Sequence, residues 1–285
     1  FGQPIDIEIL SMATWMAGHA LVAESFQHGR VFLGGDAAHL FTPTGGLGYN
    51  TAVEDAVNLS WKLASVLKGQ APAALLNSYH LERHPLAVRN TGYARQFADS
   101  IGLFEAAPEL EDHSPQGEQA RAVASDYLNG HVQREFNIPG VTFGGRYDGS
   151  PIIVGDGSTA PPDAANHYQP CATPGGRPPH AWLPDGRSLY DTFNFEWTLL
   201  ALGPLPPDVH AFEQSAQAMG LDLKVVHHTS ADILALYEAP LVLIRPDQIV
   251  AWRGYDAQQA PSILSQVLGQ GGTVQDLATT PRLPA

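Results

Sequence analysis

The residues between Gly140 and Pro179 are so rich in Gly, Pro and Asp that neither a long helix nor a long strand can run through them. A 285-residue chain broken in this way is expected to fold as two bodies, and 44% hydrophobic residues are enough to fill both cores. We place a first domain at 1–150, a linker at 151–175 and a second domain at 176–285.

Upstream of the break, helical signals dominate. Ala52, Val53, Ala56, Leu59, Leu63, Val66 and Leu67 recur at helical spacing and Gly69 stops the pattern, which predicts a helix over 51–68. Trp61, Leu63 and Tyr79 read as core or cover. Residues 71–104 predict two helical pieces interrupted at Pro85, 105–118 an exposed acidic connection, and 119–136 a further helix. Before all of these, 5–15 and 19–26 read as short strand or helix pieces. The unbroken apolar run Val31, Phe32 and Leu33 predicts a strand buried on both faces.

Downstream the texture changes. A turn at Pro184-Asp185-Gly186 is followed by a strand (196–203), a helix (208–220) and a strand (221–228). A hairpin with its turn at Arg245-Pro246-Asp247-Gln248 and a final helix (260–270) complete the pattern. That order suits a small α/β layer.

Lys and Arg number 15 against 29 Asp and Glu, so a net charge of −14 argues against nucleic acid or an anionic membrane as partner. No segment approaches the roughly 18 consecutive apolar residues of a membrane helix, and no signal-peptide pattern opens the chain. A cytoplasmic location is expected. The single Cys171 excludes an internal disulfide and a cysteine-rich zinc site, and no His-Glu-x-x-His motif is present, so no metal site is expected.

The stretch GGDAAHLFTPTGGLGYN, from Gly34 to Asn50, carries the chemistry. A strand ending in Gly35-Asp36 sets an acceptor-only carboxylate where open α/β sheets receive ligands, suited to hydroxyl groups such as those of a sugar alcohol or ribose. A few residues later Gly45, Gly46, Leu47, Gly48, Tyr49 and Asn50 lead into the helix, whose free N–H groups and positive end favour an anion or a polarised carbonyl. The glycines permit unusual dihedrals and close approach, and Pro43 stiffens the entrance. A glycine turn with Asp36 bonded to its own backbone is the bland alternative.

The segment from Gly29 to Ala87 closely resembles the second flavin-binding motif of the FAD-dependent aromatic-ring hydroxylases, the single-component monooxygenases of the para-hydroxybenzoate and phenol hydroxylase type. The resemblance implies that Gly35 and Asp36 meet the ribityl side of FAD. It gives the flavin N1/C2-carbonyl edge to the helix start at Gly45–Asn50, and it lays Pro43 against the ring. Residues 175–200 and 241–254 resemble the thioredoxin-like C-terminal domain of the phenol and polyketide hydroxylase branches, here without Cys-x-x-Cys and therefore structural or dimer-supporting. The implied fold is α/β: a partial FAD-binding, para-hydroxybenzoate hydroxylase-like domain followed by a thioredoxin-like domain. The implied activity is NAD(P)H-dependent hydroxylation of a small aromatic substrate.

The family's Gly-x-Gly-x-x-Gly motif is absent and the chain opens mid-pattern at Phe1, so a fragment is expected, inactive alone, with the N-terminal half on the same or a separate chain. A homodimer fits this reading. The alternative is a non-catalytic thioredoxin-like interaction or dimerisation module on a truncated flavin fold. No catalytic residue is identified: His39 is expected to pack or hydrogen-bond, Glu54 and Asp55 to complement the helix dipole, and Cys171 to be inert.

Overall fold

The computed structural model describes residues 5–14 and 19–270, which form a helical lobe and an α/β lobe. Residues 5–14 hold no regular element, and Trp15, the end of the expected first piece, lies outside the described residues. Four two-residue strands follow: β1 (Leu21–Val22) pairs antiparallel with β4 (His39–Leu40), and β2 (Gln27–His28) with β3 (Val31–Phe32). The expected strand at Val31–Leu33 is thus one arm of a small hairpin and is not buried on both faces: Val31 is 63% exposed.

Helix α1 spans Leu47–Leu67, starting four residues before the expected position. Its inward face is not the apolar set that predicted it. Thr51, Asp55, Asn58, Lys62 and Ser65 are buried, together with Leu47 and Trp61, whereas Val53, Val57 and Leu67 are exposed. The reason lies in what α1 packs against. Helix α2 (Ser78–Gly102) presents buried Glu82, Arg83 and Asn90 to it, so the seam between the helices is a polar network and not a hydrocarbon one.

Helix α2 also runs unbroken through Pro85, where an interruption was expected. A proline inside a helix costs about 3 kcal/mol. Pro85 and Leu81, the residue whose carbonyl loses its donor, are both exposed, so water can reach that carbonyl. Glu82, Arg83, Leu86 and Ala87 are buried around them and hold the helix on course. Helix α3 (Pro115–Phe136) is capped by Ser114, which accepts from the Gly117 N–H at 3.2 Å, and the short α4 (Pro139–Phe143) ends the lobe.

Residues 144–188 contain turns and isolated bridges among extended chain. The second lobe then forms a four-stranded sheet in the order β6-β5-β7-β8, from β5 (Trp197–Leu202), β6 (Leu223–His228), β7 (Leu241–Ile244) and β8 (Val250–Gly254). β5 and β6 are parallel, joined through α5 (His210–Ala218); β7 is antiparallel to both β5 and β8. Helices α6 (Ala231–Tyr237) and α7 (Ala260–Val267) complete a thioredoxin-like order.

Side chains alternate across this sheet as strand geometry requires. Leu199, Ala201, Leu241 and Leu243 face Phe212, Ile263 and Leu264; Leu200, Leu202, Val242 and Ile244 face Ile233, Tyr237 and Leu189. The first of these cores continues into the helical lobe through Trp61 and Leu75, and Trp61 meets Trp197 edge-on at 5.7 Å.

Candidate functional site

The 3-10 turn Gly35–Ala37 carries Asp36, which is exposed, as are Pro43, Gly46, Tyr49 and Asn50 further on. Gly35 takes φ +59°, and a Cβ there would stand 3.2 Å from the Cβ of Ala52 on α1, so a side chain would be both strained and crowded. Gly45 and Gly46 are likewise left-handed, at φ +78° and +63°, and form the sharp bend that turns the chain into α1. Gly48 is different. It lies inside the helix with ordinary dihedrals, and its role is spatial, since a Cβ there would lie 3.4 Å from Phe41.

No side chain caps the start of α1, and Gly46 at the cap position offers none. The first-turn N–H groups therefore keep no partner within the helix, and the positive end of the dipole faces outward beside Pro43. The Gly45 N–H just before it is already used, donating to Glu135 Oε1 of α3 at 3.0 Å. Asn50, which is exposed, turns back to donate its amide to the Gly46 carbonyl at 3.0 Å, and Leu47 is buried.

Behind this turn lies a buried ionic assembly. Asp55 accepts the Gly35 N–H at 3.1 Å and His39 Nε2 at 2.6 Å on one oxygen, and Arg83 Nε at 2.8 Å on the other. Burial alone would raise the Asp55 pKa, but the His39 hydrogen bond and the Arg83 charge hold it below the ordinary carboxylate range. An ionised Asp55 fixes the His39 proton on Nε2; Nδ1 is buried with no partner among the described residues. His39 has the packing and hydrogen-bonding role expected of it. Asp55 does not merely complement the helix dipole. It ties the Gly35 turn to α1 and α2, while Glu54 pairs with Arg83 Nη2 at 2.9 Å.

One turn along, Glu82 is fully buried and receives Lys62 Nζ at 2.6 Å, Asn58 at 2.7 Å, Ser150 at 2.6 Å and a bidentate Arg245 at 2.7 and 2.9 Å. Burial pulls Lys62 down to about 8, against the opposing charge of Glu82. The positions of Asp55, Lys62, Glu82, Arg83 and Arg245 were the signal that sequence reasoning missed. Asp55, Asn58, Lys62 and Ser65 recur at helical spacing just as the apolar residues of α1 do.

The site so built lies apart from a cavity of about 270 Å³ between α2, α4 and residues 161–171, which Asp36, Pro43 and the Gly45–Gly48 bend do not line. Among the described residues no group of three or more potential metal ligands occurs, and no helix is long and apolar enough to cross a membrane. Cys171 is half-buried and, as the single cysteine, cannot form a thioredoxin-type dithiol within this chain.

The chain thus combines a glycine bend leading into an uncapped helix, an acid on the preceding turn and a thioredoxin-like lobe, and its similarities fall among flavin-dependent hydroxylases. The chain matches the family model described as FAD binding domain over residues 3–94 and that of aromatic-ring hydroxylase, C-terminal, over residues 172–271. It is 34% identical to phenol 2-monooxygenase of Pseudomonas sp. (strain EST1001), over 88% of this chain and 46% of that protein. Solved structures agree: RebC with bound 7-carboxy-K252c superposes with a TM-score of 0.80 at 38% identity, over 88% of this chain and 48% of that one. The flavin-dependent monooxygenase PieE, in complex with FAD and substrate, gives 0.74 at 30% identity, over 90% and 50%. The chain corresponds to the C-terminal portion of the FAD-dependent aromatic-ring hydroxylases, and it spans about half the length of the relatives it matches.

Proposed function

We propose that this chain forms the ribityl and pyrimidine side of the FAD pocket of an NAD(P)H-dependent monooxygenase that hydroxylates a phenolic or fused aromatic ring. The observation that carries the reading is one unit of structure: exposed Asp36 on its turn, followed by the left-handed Gly45-Gly46 bend and an uncapped helix start. Asp36 would accept ribityl hydroxyl donors. The N–H groups of Leu47 and Gly48, with the positive helix end behind them, would hold the N1 and O2 edge of the flavin, where negative charge gathers on reduction. FAD, when bound, supplies the oxygen chemistry. Pro43, exposed beside the bend, and Phe41, packed under Gly48, shape the wall. The names of the relatives, phenol and 2,4-dichlorophenol monooxygenases among them, support a phenolic substrate class. The adenosine side of FAD would be held by an N-terminal half on the same or a separate chain.

The test is FAD titration of this chain, alone and with the adenosine-binding half of a full-length relative supplied in trans. Saturable quenching of flavin fluorescence in the second sample is the expected result, and free flavin in both contradicts the reading. In the loaded protein Gly48→Val, which crowds Phe41 and the helix start, is expected to lower the flavin reduction potential. An unchanged potential removes the helix-end role.

A further inference from the structure

The thioredoxin-like lobe has no dithiol, which leaves open what it does for the flavin-side lobe. Its β7–β8 turn answers this. Arg245-Pro246-Asp247-Gln248 closes with the Gln248 N–H on the Arg245 carbonyl at 2.9 Å, and Gln248 sits at φ +58°, a conformation that few non-glycine residues adopt. The turn drives Arg245 into the seam between α1 and α2, where its guanidinium is fully buried, clamped by Asp247 at 2.6 Å and forked onto Glu82. Asp247 in turn accepts Asn58 of α1 at 3.2 Å.

Glu82 and Arg83 are neighbours on α2 that point into two different networks. Glu82 takes Arg245 from the second lobe; Arg83 takes Asp55, which holds the Gly35 N–H. Tyr147 bridges the two: its ring lies 5.2 Å from the Arg245 guanidinium and 6.0 Å from that of Arg83, and its hydroxyl accepts from Arg83 at 3.3 Å. Every member of this path except Gly35 is buried, so water does not screen or replace its contacts.

We infer that Arg245 of the thioredoxin-like lobe is a positioning residue for the Gly35–His39 turn, acting through Glu82, Arg83 and Asp55. Resting on the flavin reading above, this makes the lobe the brace that sets where Asp36 stands. Removing the guanidinium leaves Glu82 with Lys62 as its one charged partner and Asp247 with the Asn58 amide but no cation in contact. α2 must then shift or admit water, and the Arg83–Asp55 contact shifts with it.

The experiment needs no flavin. Amide exchange at Gly35 is followed in the 285-residue chain, in the wild type and in Arg245→Met, Arg245→Lys and Leu264→Ala, the last weakening the same lobe's apolar core without touching the path. Arg245→Met is expected to speed Gly35 exchange at least tenfold, Arg245→Lys to restore part of the protection, and Leu264→Ala to leave it within twofold. Unchanged Gly35 exchange in folded Arg245→Met, or an equal rise in Leu264→Ala, overturns the proposal. Should Arg245→Met not fold, Glu82→Gln, which keeps the shape but loses the charge, is held to the same two outcomes. A loaded protein that loses FAD affinity while Gly35 stays protected would also overturn it. Failure of FAD to bind the wild type, by contrast, sinks the flavin reading and leaves the exchange result standing.

Discussion

The centre of the thioredoxin-like sheet and the α1–α2 seam bury different kinds of side chain. In the thioredoxin-like lobe, β5 and β7 are buried along their whole length and their side chains are hydrocarbon, with the Thr198 hydroxyl and the Trp197 indole N–H the exceptions. In the helical lobe, the largest fully buried side chains include Arg83 and Lys62, and the α1–α2 seam is a charge network. An apolar core tolerates many substitutions at a graded cost, whereas a buried network is stable only while every member has its partner. The lobe nearest the proposed flavin site is therefore the brittle one. It gains a precisely placed turn in exchange, because Asp55 can hold Gly35 only while Arg83 and His39 hold Asp55.

Breaking the network should show the largest effect. Glu82→Ala leaves buried Lys62 without its anion and Arg245 with Asp247 alone, and a loss of roughly 3–5 kcal/mol in chemical denaturation is expected. A loss under about 1 kcal/mol would mean that the seam is wet and the contrast between the lobes is false. Leu199→Ala, in the middle of the apolar sheet, should cost about 3 kcal/mol without altering Gly35 exchange.

The sign of a pH effect sharpens the contrast further. Lys62 is held at about 8, below its ordinary value of 10.5, so between these limits the unfolded chain binds more protons and stability rises with pH. Relative to Lys62→Met, the wild type should gain roughly 3 kcal/mol across that window. A flat difference would place Lys62 in water. The exposed pair Lys68–Glu196, which also joins the lobes, at 2.9 Å, is the smallest case. Lys68→Ala should cost no more than about 0.5 kcal/mol and less in high salt, as measured by denaturation at two ionic strengths.

This contrast also explains what could be read beforehand. The strand, helix, strand, hairpin and helix order of the second lobe was legible because burial there follows apolar period, and the turn at Arg245–Gln248 is where its Pro and Asp put it; the seven-residue α6 between β6 and the hairpin was not, being too short to show a helical period. The glycine bend was legible for a similar reason: few residues other than glycine take φ of +78° and +63° in succession. The inward face of α1 was not, because Asp55, Asn58 and Lys62 read as solvated positions until their partners at 82, 83 and 245 are brought beside them by tertiary contact. Pro85 misled for the same reason, since the buried residues around it overrule a local helix breaker.

The central claim is that the turn held by Asp55 presents Asp36 to a flavin. It is tested most directly by the FAD dissociation constant of the assembled flavoprotein with and without Asp36→Ala. Loss of charge-assisted hydrogen bonds to the carboxylate is expected to weaken binding by roughly 1.5–3 kcal/mol, about 10- to 150-fold. Equal affinity in folded wild type and variant would contradict the account.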